Sequence, residues 1–312
     1  MLDIRTRLIM ATTVVICLLG LFGNINLLIA TFRKKALRTK MGCLLAISTV
    51  AHTVCLISEL VCVKLQLRFH KTHRDECFRS VIVYMFAVVF QSTLFLMMAI
   101  DLLLAVSIPI RHRLWRRAPY IFLLCLPPLI FSTLALVFEE IYINHDDLLI
   151  CSVTLAAPPG VRFWGTLITL VMISLAVVII SLTAFKVHSR EKSVNKQIVR
   201  HSGHSDRRNS KCSDHKLLKS LSMLMMVFIC SWAGSIFLSH ISLYFSKEVG
   251  YEIQKYNFLL SLPTFCQNYF VTYLRSPRYC RAYKEQLGLV RQRSMYSIKT
   301  SEHDKSVNTH VL

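Results

Sequence analysis

The feature that most constrains this chain is a set of seven apolar blocks, at Leu8–Phe32, Met41–Val63, Ser80–Ile108, Ala118–Phe138, Phe163–Val187, Leu217–Phe245 and Ile253–Leu274. A helix rises about 1.5 Å per residue, so crossing ~30 Å of hydrocarbon takes about 20 apolar residues. Every block is that long. Membrane strands run to about ten residues and alternate in polarity, and these blocks do neither. The expected fold is therefore an all-α membrane protein, a seven-transmembrane-helix bundle. Charged residues make up 17% of the chain and apolar ones 54%. Both depart from the soluble average in the direction of a membrane protein, which excludes a soluble cytoplasmic enzyme. The first block has 25 residues and no small-residue cleavage site after it. It exceeds the core of a signal peptide and is expected to be retained.

The net charge of +20 would suggest nucleic acid in a soluble protein. Here it sets orientation instead. The loops after spans one, three and five, with the tail, hold 27 Lys and Arg against 10 on the opposite side. Cytoplasmic loops carry the excess of cations, so the amino terminus is expected outside and the carboxyl terminus in the cytoplasm. Arg5 and Arg7, and the basic segment Lys64–Arg79, run against this trend. The expected layout is an extracellular terminus at 1–7, a seven-span membrane domain at 8–274, an amphipathic helix on the inner surface at 275–290, and a cytoplasmic tail at 291–312. In that short helix Tyr279, Tyr283 and Leu287 recur every four residues with Arg and Lys between them, as in a helix lying on lipid. The segment His188–His215 is polar and reads as a flexible loop.

Cys77 lies just before span three and Cys151 in the acidic loop after span four, both on the side where disulfides persist. A bridge would tie that loop across the outer mouth; two separate thiols are the alternative. Most other cysteines lie within apolar blocks and act there as small hydrophobes. Inside the hydrocarbon region, Asn24 either finds a partner on another helix or is a tolerated polar residue. His52 and Glu59, seven apart, share one helix face and line a cavity or pair with each other. The plainer alternatives are a satisfied neutral imidazole and a carboxylate reaching the interface. Asp101, near the inner end of span three, is expected to pair with Arg111 or Arg113. Cys280 is a candidate for palmitoylation or an unmodified thiol. The spacings His201-x-x-His204 and Cys212-x-x-His215 resemble zinc pairs, but their solvated, basic surroundings read as linker, and no metal site is expected. There is no Asn-x-Ser/Thr sequon and no phosphate-binding loop, dinucleotide fingerprint, Gly-x-Ser-x-Gly or His-Glu-x-x-His, so neither enzyme activity nor a cofactor is expected.

The run Asp101-Leu102 through Ala105-Val106, Pro109 and Arg111-His112 resembles the Asp-Arg-Tyr-x-Ala-Val-x-x-Pro-x-Arg-Tyr stretch of rhodopsin-like G-protein-coupled receptors. Gly23-Asn24, the Cys77/Cys151 pair, Phe228-x-Cys230-x-Trp232 and Asn268 through Tyr279 follow in the order of that family. The texture around Glu76-Cys77-Phe78 and Gln267-Asn268 is most similar to the nematode serpentine chemoreceptors of the Srsx-like class. The resemblance implies an extracellular small-molecule or peptide ligand, a heterotrimeric G protein as partner, membrane lipid around the bundle and no nucleic acid. It places Asn24, His52, Asp101, Leu102, Trp232 and Asn268 in the polar core and activation machinery.

The chain also departs from the family. Leu102 stands where the family has the Arg that meets the G protein, Tyr269 and Thr272 replace the Pro and Tyr of span seven, and Ala233 or Gly234 replaces the Pro of span six. His52 takes the place of an Asp that helps bind sodium. The fold is expected to carry over and the coupling to be weakened. By position, the ligand wall is expected to include Tyr84, Phe90, Gln91, Phe237, Tyr244 and Phe258, with simple packing as the alternative. The cations Lys64, Arg68, Lys71 and Arg74 either attract an anionic ligand or form a solvated rim. A non-signalling partner of another receptor is the second reading. A transporter or channel is the third, and it lacks the inverted repeats and broken helices expected of one.

Overall fold

The computed structural model describes residues 4–68, 72–148, 151–200, 226–227 and 229–289. The expected zinc-like pairs at His201–His215, together with Phe228 and the tail from Arg291, lie outside the described residues. The long helices are α1 (Ile4–Arg33), α2 (Lys40–Arg68), α3 (Arg74–Ser107), α5 (Arg117–Ile141), α7 (Pro159–Arg200) and α9 (Lys247–Arg275). Short helices α4 (Pro109–Leu114), α6 (Val153–Ala156) and α10 (Pro277–Gln286) connect or flank them, and Ile229–Ile241 forms α8. Five of these helices are long and apolar enough to cross a bilayer: α1, α2, α3, α5 and α7. The described part of α8 is shorter. α9 has 29 residues, and several of its polar side chains, among them Asn257, Gln267 and Asn268, are turned inward.

α3 is the central helix: 61% of its apolar window is enclosed by protein, against 17% for α5 and for α7. It packs on α2, α5 and α7, while α1 packs on α2 and α9. Leu18, Phe122, Leu134, Val171 and Phe185 are left facing outward. A soluble surface does not present so much contiguous apolar area, and the hydrocarbon of a bilayer covers it. One end of the bundle carries a two-residue antiparallel pairing between β1 (Thr72–His73) and β2 (Asp147–Leu148), with Thr72 opposite Leu148. The other end carries Asp101, α4 and α10.

Two expectations about the elements are corrected. The polar linker expected from His188 is still helix as far as Arg200. Its Arg, Glu, Lys and Gln are good helix formers, and the first glycine comes only at Gly203. The Tyr face of α10 does not lie on lipid: Tyr279 and Tyr283 are buried against α1 and α9, and only Leu287 is exposed.

Candidate functional site

Cys77 opens α3 and is bonded to Cys151, with the two Cα atoms 5.4 Å apart. Around this bridge the loop between α5 and α6 is held by several polar contacts. Arg74 Nη1 donates to Asn144 Oδ1 at 2.7 Å and meets Asp146 Oδ2 at 3.1 Å. Gln66 Nε2 donates to the Cys151 carbonyl at 3.4 Å, and Arg162 Nη1 to the Thr154 carbonyl at 3.1 Å. Residues Ser152–Thr154 thus form a roof fixed to α2, α3 and α7.

Beneath this roof is a cavity of about 70 Å³ walled by α2, α3, α8 and α9. Glu59, Tyr84, Trp232, Ser235 and Ser261 are among its lining residues. Glu59 is buried, and the Tyr84 hydroxyl donates to its Oε1. Glu59 therefore neither pairs with His52 nor reaches the interface; Tyr84, on the neighbouring helix, stands closer than either. The floor is aromatic. The Phe265 ring lies 6.2 Å from those of both Tyr84 and Trp232, and 5.9 Å from the imidazole of His52.

Of the five described residues expected on the ligand wall, Tyr84 alone lines the cavity. Gln91, two turns along α3, is buried below it beside Cys55 Sγ at 4.0 Å, and its Nε2 has no partner among the described residues. Phe90 is half-buried and stacks on Phe86 at 6.0 Å. Phe237 is 60% exposed and Tyr244 74% exposed. The buried face of α8 is Trp232, Ser235, Ile236 and Ser239, which puts Phe237 on the opposite, lipid side. Tyr244 lies past the end of α8, its hydroxyl 3.5 Å from His240 Nε2. The side chain of Phe258 lies outside the described residues.

Below Phe265 lies a set of buried polar side chains. Asn268 Nδ2 lies 3.2 Å from His52 Nδ1 and 3.0 Å from Thr49 Oγ1. Asn24 joins neither His52 nor Asn268, and finds its partner on another helix. Its Nδ2 donates to the Phe265 carbonyl at 3.1 Å. A helical carbonyl has a second lone pair, and Phe265 is about one turn before Asn268, so α1 takes the nearer acceptor.

At the far end Asp101 is buried, but not beside Arg111, which is exposed. Its Oδ1 accepts from the Tyr120 hydroxyl at 2.6 Å and lies 2.8 Å from His112 Nε2. Pro109 starts a new helix, and this brings His112 back over Asp101. Lys40 Nζ donates to the His112 carbonyl and stands 4.6 Å from the Tyr120 ring centre. Trp115 stacks on Tyr120 at 5.3 Å. Leu102, at the position where the family has Arg, is 8% exposed and belongs to the apolar core. Nothing in the periodicity of two separate spans pairs Glu59 with Tyr84. His112 was legible only as part of a motif and not as a partner of Asp101.

Thr272 Oγ1 lies 2.8 Å from the Tyr283 hydroxyl, and Tyr269 packs on Tyr283 at 4.6 Å, filling the corner between α9 and α10. Lys34 and Glu285 form an ion pair at 2.5 Å. It holds the Glu285 carboxyl below the usual carboxylate range, the Lys34 hydrogen bond being the largest cause. Cys280 on α10 is a half-buried free thiol. Among the described residues no cluster of His, Cys, Asp or Glu is arranged to hold a metal ion.

No curated protein matches the chain. A family model does, described as serpentine type 7TM GPCR chemoreceptor Srsx, over residues 17–287. The match begins within α1 and ends just past α10, and so takes in the disulfide, the roofed cavity and the Asp101 cluster in one continuous stretch. The chain belongs to the Srsx family of serpentine seven-transmembrane chemoreceptors.

Proposed function

We propose that the chain is a chemosensory receptor of the plasma membrane, oriented with its amino terminus outside, that binds an extracellular ligand in the roofed cavity and signals to a heterotrimeric G protein at the Asp101 end. The observation that carries this reading is the cavity itself: four helices meet around it under a loop tethered by a disulfide. The ligand acts by population shift, binding more tightly to the arrangement in which the Asp101 end is open. Phe265 is the element between the two, since its ring meets the cavity aromatics and His52 while its carbonyl holds α1. Cys280 on α10 is a palmitoylation site in this arrangement.

A second reading has its own support. Leu102 is packed into the apolar core and offers a G protein no cation, as in a non-signalling partner of another receptor. The two readings are separated in cells that display the chain on their surface, challenged with ligands of varied charge and read out by G-protein dissociation. Ligand-dependent dissociation, weaker than that of a receptor with the intact Arg, is the expected result. No dissociation with any ligand, together with co-purification with another receptor, favours the second.

A further inference from the structure

A carboxylate in a low-dielectric interior is costly unless a cation or several donors meet it. Glu59 has one donor. Its Oε1 accepts from the neutral Tyr84 hydroxyl, and Oε2 has no hydrogen-bond partner among the described residues. Among the described residues, none of the others lining the cavity carries a formal charge. Among the described residues, the roof cations Arg74 and Arg162 are engaged elsewhere: Arg74 with Asn144 and Asp146, and Arg162 with the Thr154 carbonyl. The cavity therefore holds an uncompensated acid with space beside it.

Resting on the receptor reading above, we propose that this cavity binds a small organic ammonium ion, with Glu59 as its counter-ion. The remaining walls suit such a ligand. Tyr84 and Trp232 present aromatic rings, which attract a desolvated cation. The Ser152, Ser235 and Ser261 hydroxyls carry lone pairs that accept from the N–H groups of an ammonium. A volume of about 70 Å³ favours a short alkyl group over a bulky one. An anionic ligand drawn in by the basic segment would meet the like charge of Glu59 in this cavity and be repelled.

The test uses the full-length receptor in lipid nanodiscs at neutral pH, with thermal unfolding as the readout. The probes are propyl-, butyl-, pentyl- and hexylamine, each beside the alcohol and the carboxylate of the same skeleton, plus tetramethylammonium. At least one ammonium should raise the unfolding temperature, with a half-maximal concentration at least about tenfold below that of its matched alcohol and carboxylate. Glu59→Gln, which keeps the volume and still accepts from Tyr84, should weaken that response at least about tenfold. Glu59→Asp keeps the charge and should keep the order amine before alcohol before carboxylate, which covers the case where Glu59→Gln does not fold. An undiminished amine response in Glu59→Gln overturns the proposal. A wild-type preference for alcohols or carboxylates, abolished by the cavity-filling Val88→Trp, overturns the ammonium assignment and leaves the receptor cavity intact. No response to any probe counts against both.

Discussion

Replacing Tyr120 by Phe removes a single oxygen from the Asp101 cluster and leaves the ring in place. The lost hydroxyl donates to Asp101 Oδ1 at 2.6 Å in a buried setting, and Asp101 keeps His112 as its partner there. A hydrogen bond to a charged group contributes about 1.5–3 kcal/mol, and the ring retains its contact with Lys40 at 4.6 Å. At roughly 3 °C per kcal/mol for a chain of this size, the purified receptor should unfold about 5–9 °C lower. Tyr120→Leu should fall further, because it also forfeits the cation–ring attraction. Asp101 joins α3 to α5 and, through His112 and Lys40, to α2. Loosening it should also raise ligand-independent G-protein activation. The measurement is a double-mutant cycle with Asp101→Asn, read by thermal unfolding in nanodiscs. Non-additivity of about 1 kcal/mol or more is expected for two partners in contact. An unfolding temperature within about 1 °C of wild type, with additive effects in the cycle, would refute the lock.

Leu102→Arg places a guanidinium beside Asp101 and should raise G-protein activation above wild type at equal surface density; equal activation by the two chains would show that coupling was never limited at this site. Cys77→Ser opens a loop spanning 74 residues, a loss of about 4 kcal/mol of chain restraint, and should reduce surface delivery. Peptide mapping without reductant should recover the two half-cystines as one peptide pair, and free thiols at both positions would count against it. The Lys34–Glu285 pair predicts acid sensitivity in α10. The folded-state pKa of Glu285 lies below its ordinary value, so the pair contributes fully above the ordinary carboxylate range and loses its contribution as pH falls through the lowered value. Hydrogen exchange in α10 should rise in acid for wild type and change much less in Glu285→Gln, whereas equal acid dependence in the two would contradict the sign.

Five of the seven expected spans were legible in the sequence because length and apolarity decide whether a helix crosses a bilayer, while the sixth lies partly outside the described residues and the seventh is a helix with a polar buried face. Which way each helix turns was not. In a soluble helix the apolar stripe faces inward. α8 reverses that rule, with Ser235 and Ser239 buried and Phe237 in the lipid direction, and α9 buries Asn257, Ser261, Thr264 and Asn268. Placing aromatics on a ligand wall by position along the spans therefore put Phe237 and Tyr244 where the fold leaves them exposed, whereas Glu59, read as lining a cavity or pairing with His52, does line the cavity. The Asp101 partners were missed for another reason. Charge complementarity pointed to Arg111 or Arg113, but a buried acceptor takes the donors that the fold brings into reach, and Pro109 brings His112. The disulfide pair was legible because loop position and charge asymmetry put both cysteines on one side.

The contact between α1 and α9 has a kinematic consequence. A methyl group at Gly20 would collide with Cys266 Sγ, and one at Gly23 would come within 2.9 Å of Tyr269 Cβ, so the two backbones run nearly flush. Asn24 to the Phe265 carbonyl, Thr31 to Tyr279, Asn26 to Gln286 and Lys34 to Glu285 rivet that seam along its length and extend it to α10. These three helices travel as one body, like the fixed jaw of a vice. The moving jaw has to be sought across the bundle, where α8 meets this body through small hydroxyl contacts such as Ser231 with Thr264 at 2.5 Å. Slip between the jaws then lets the short Ser231 and Thr264 side chains exchange hydrogen-bond partners, while the Trp232 and Phe265 rings, 6.2 Å apart across the same seam, have to slide past one another.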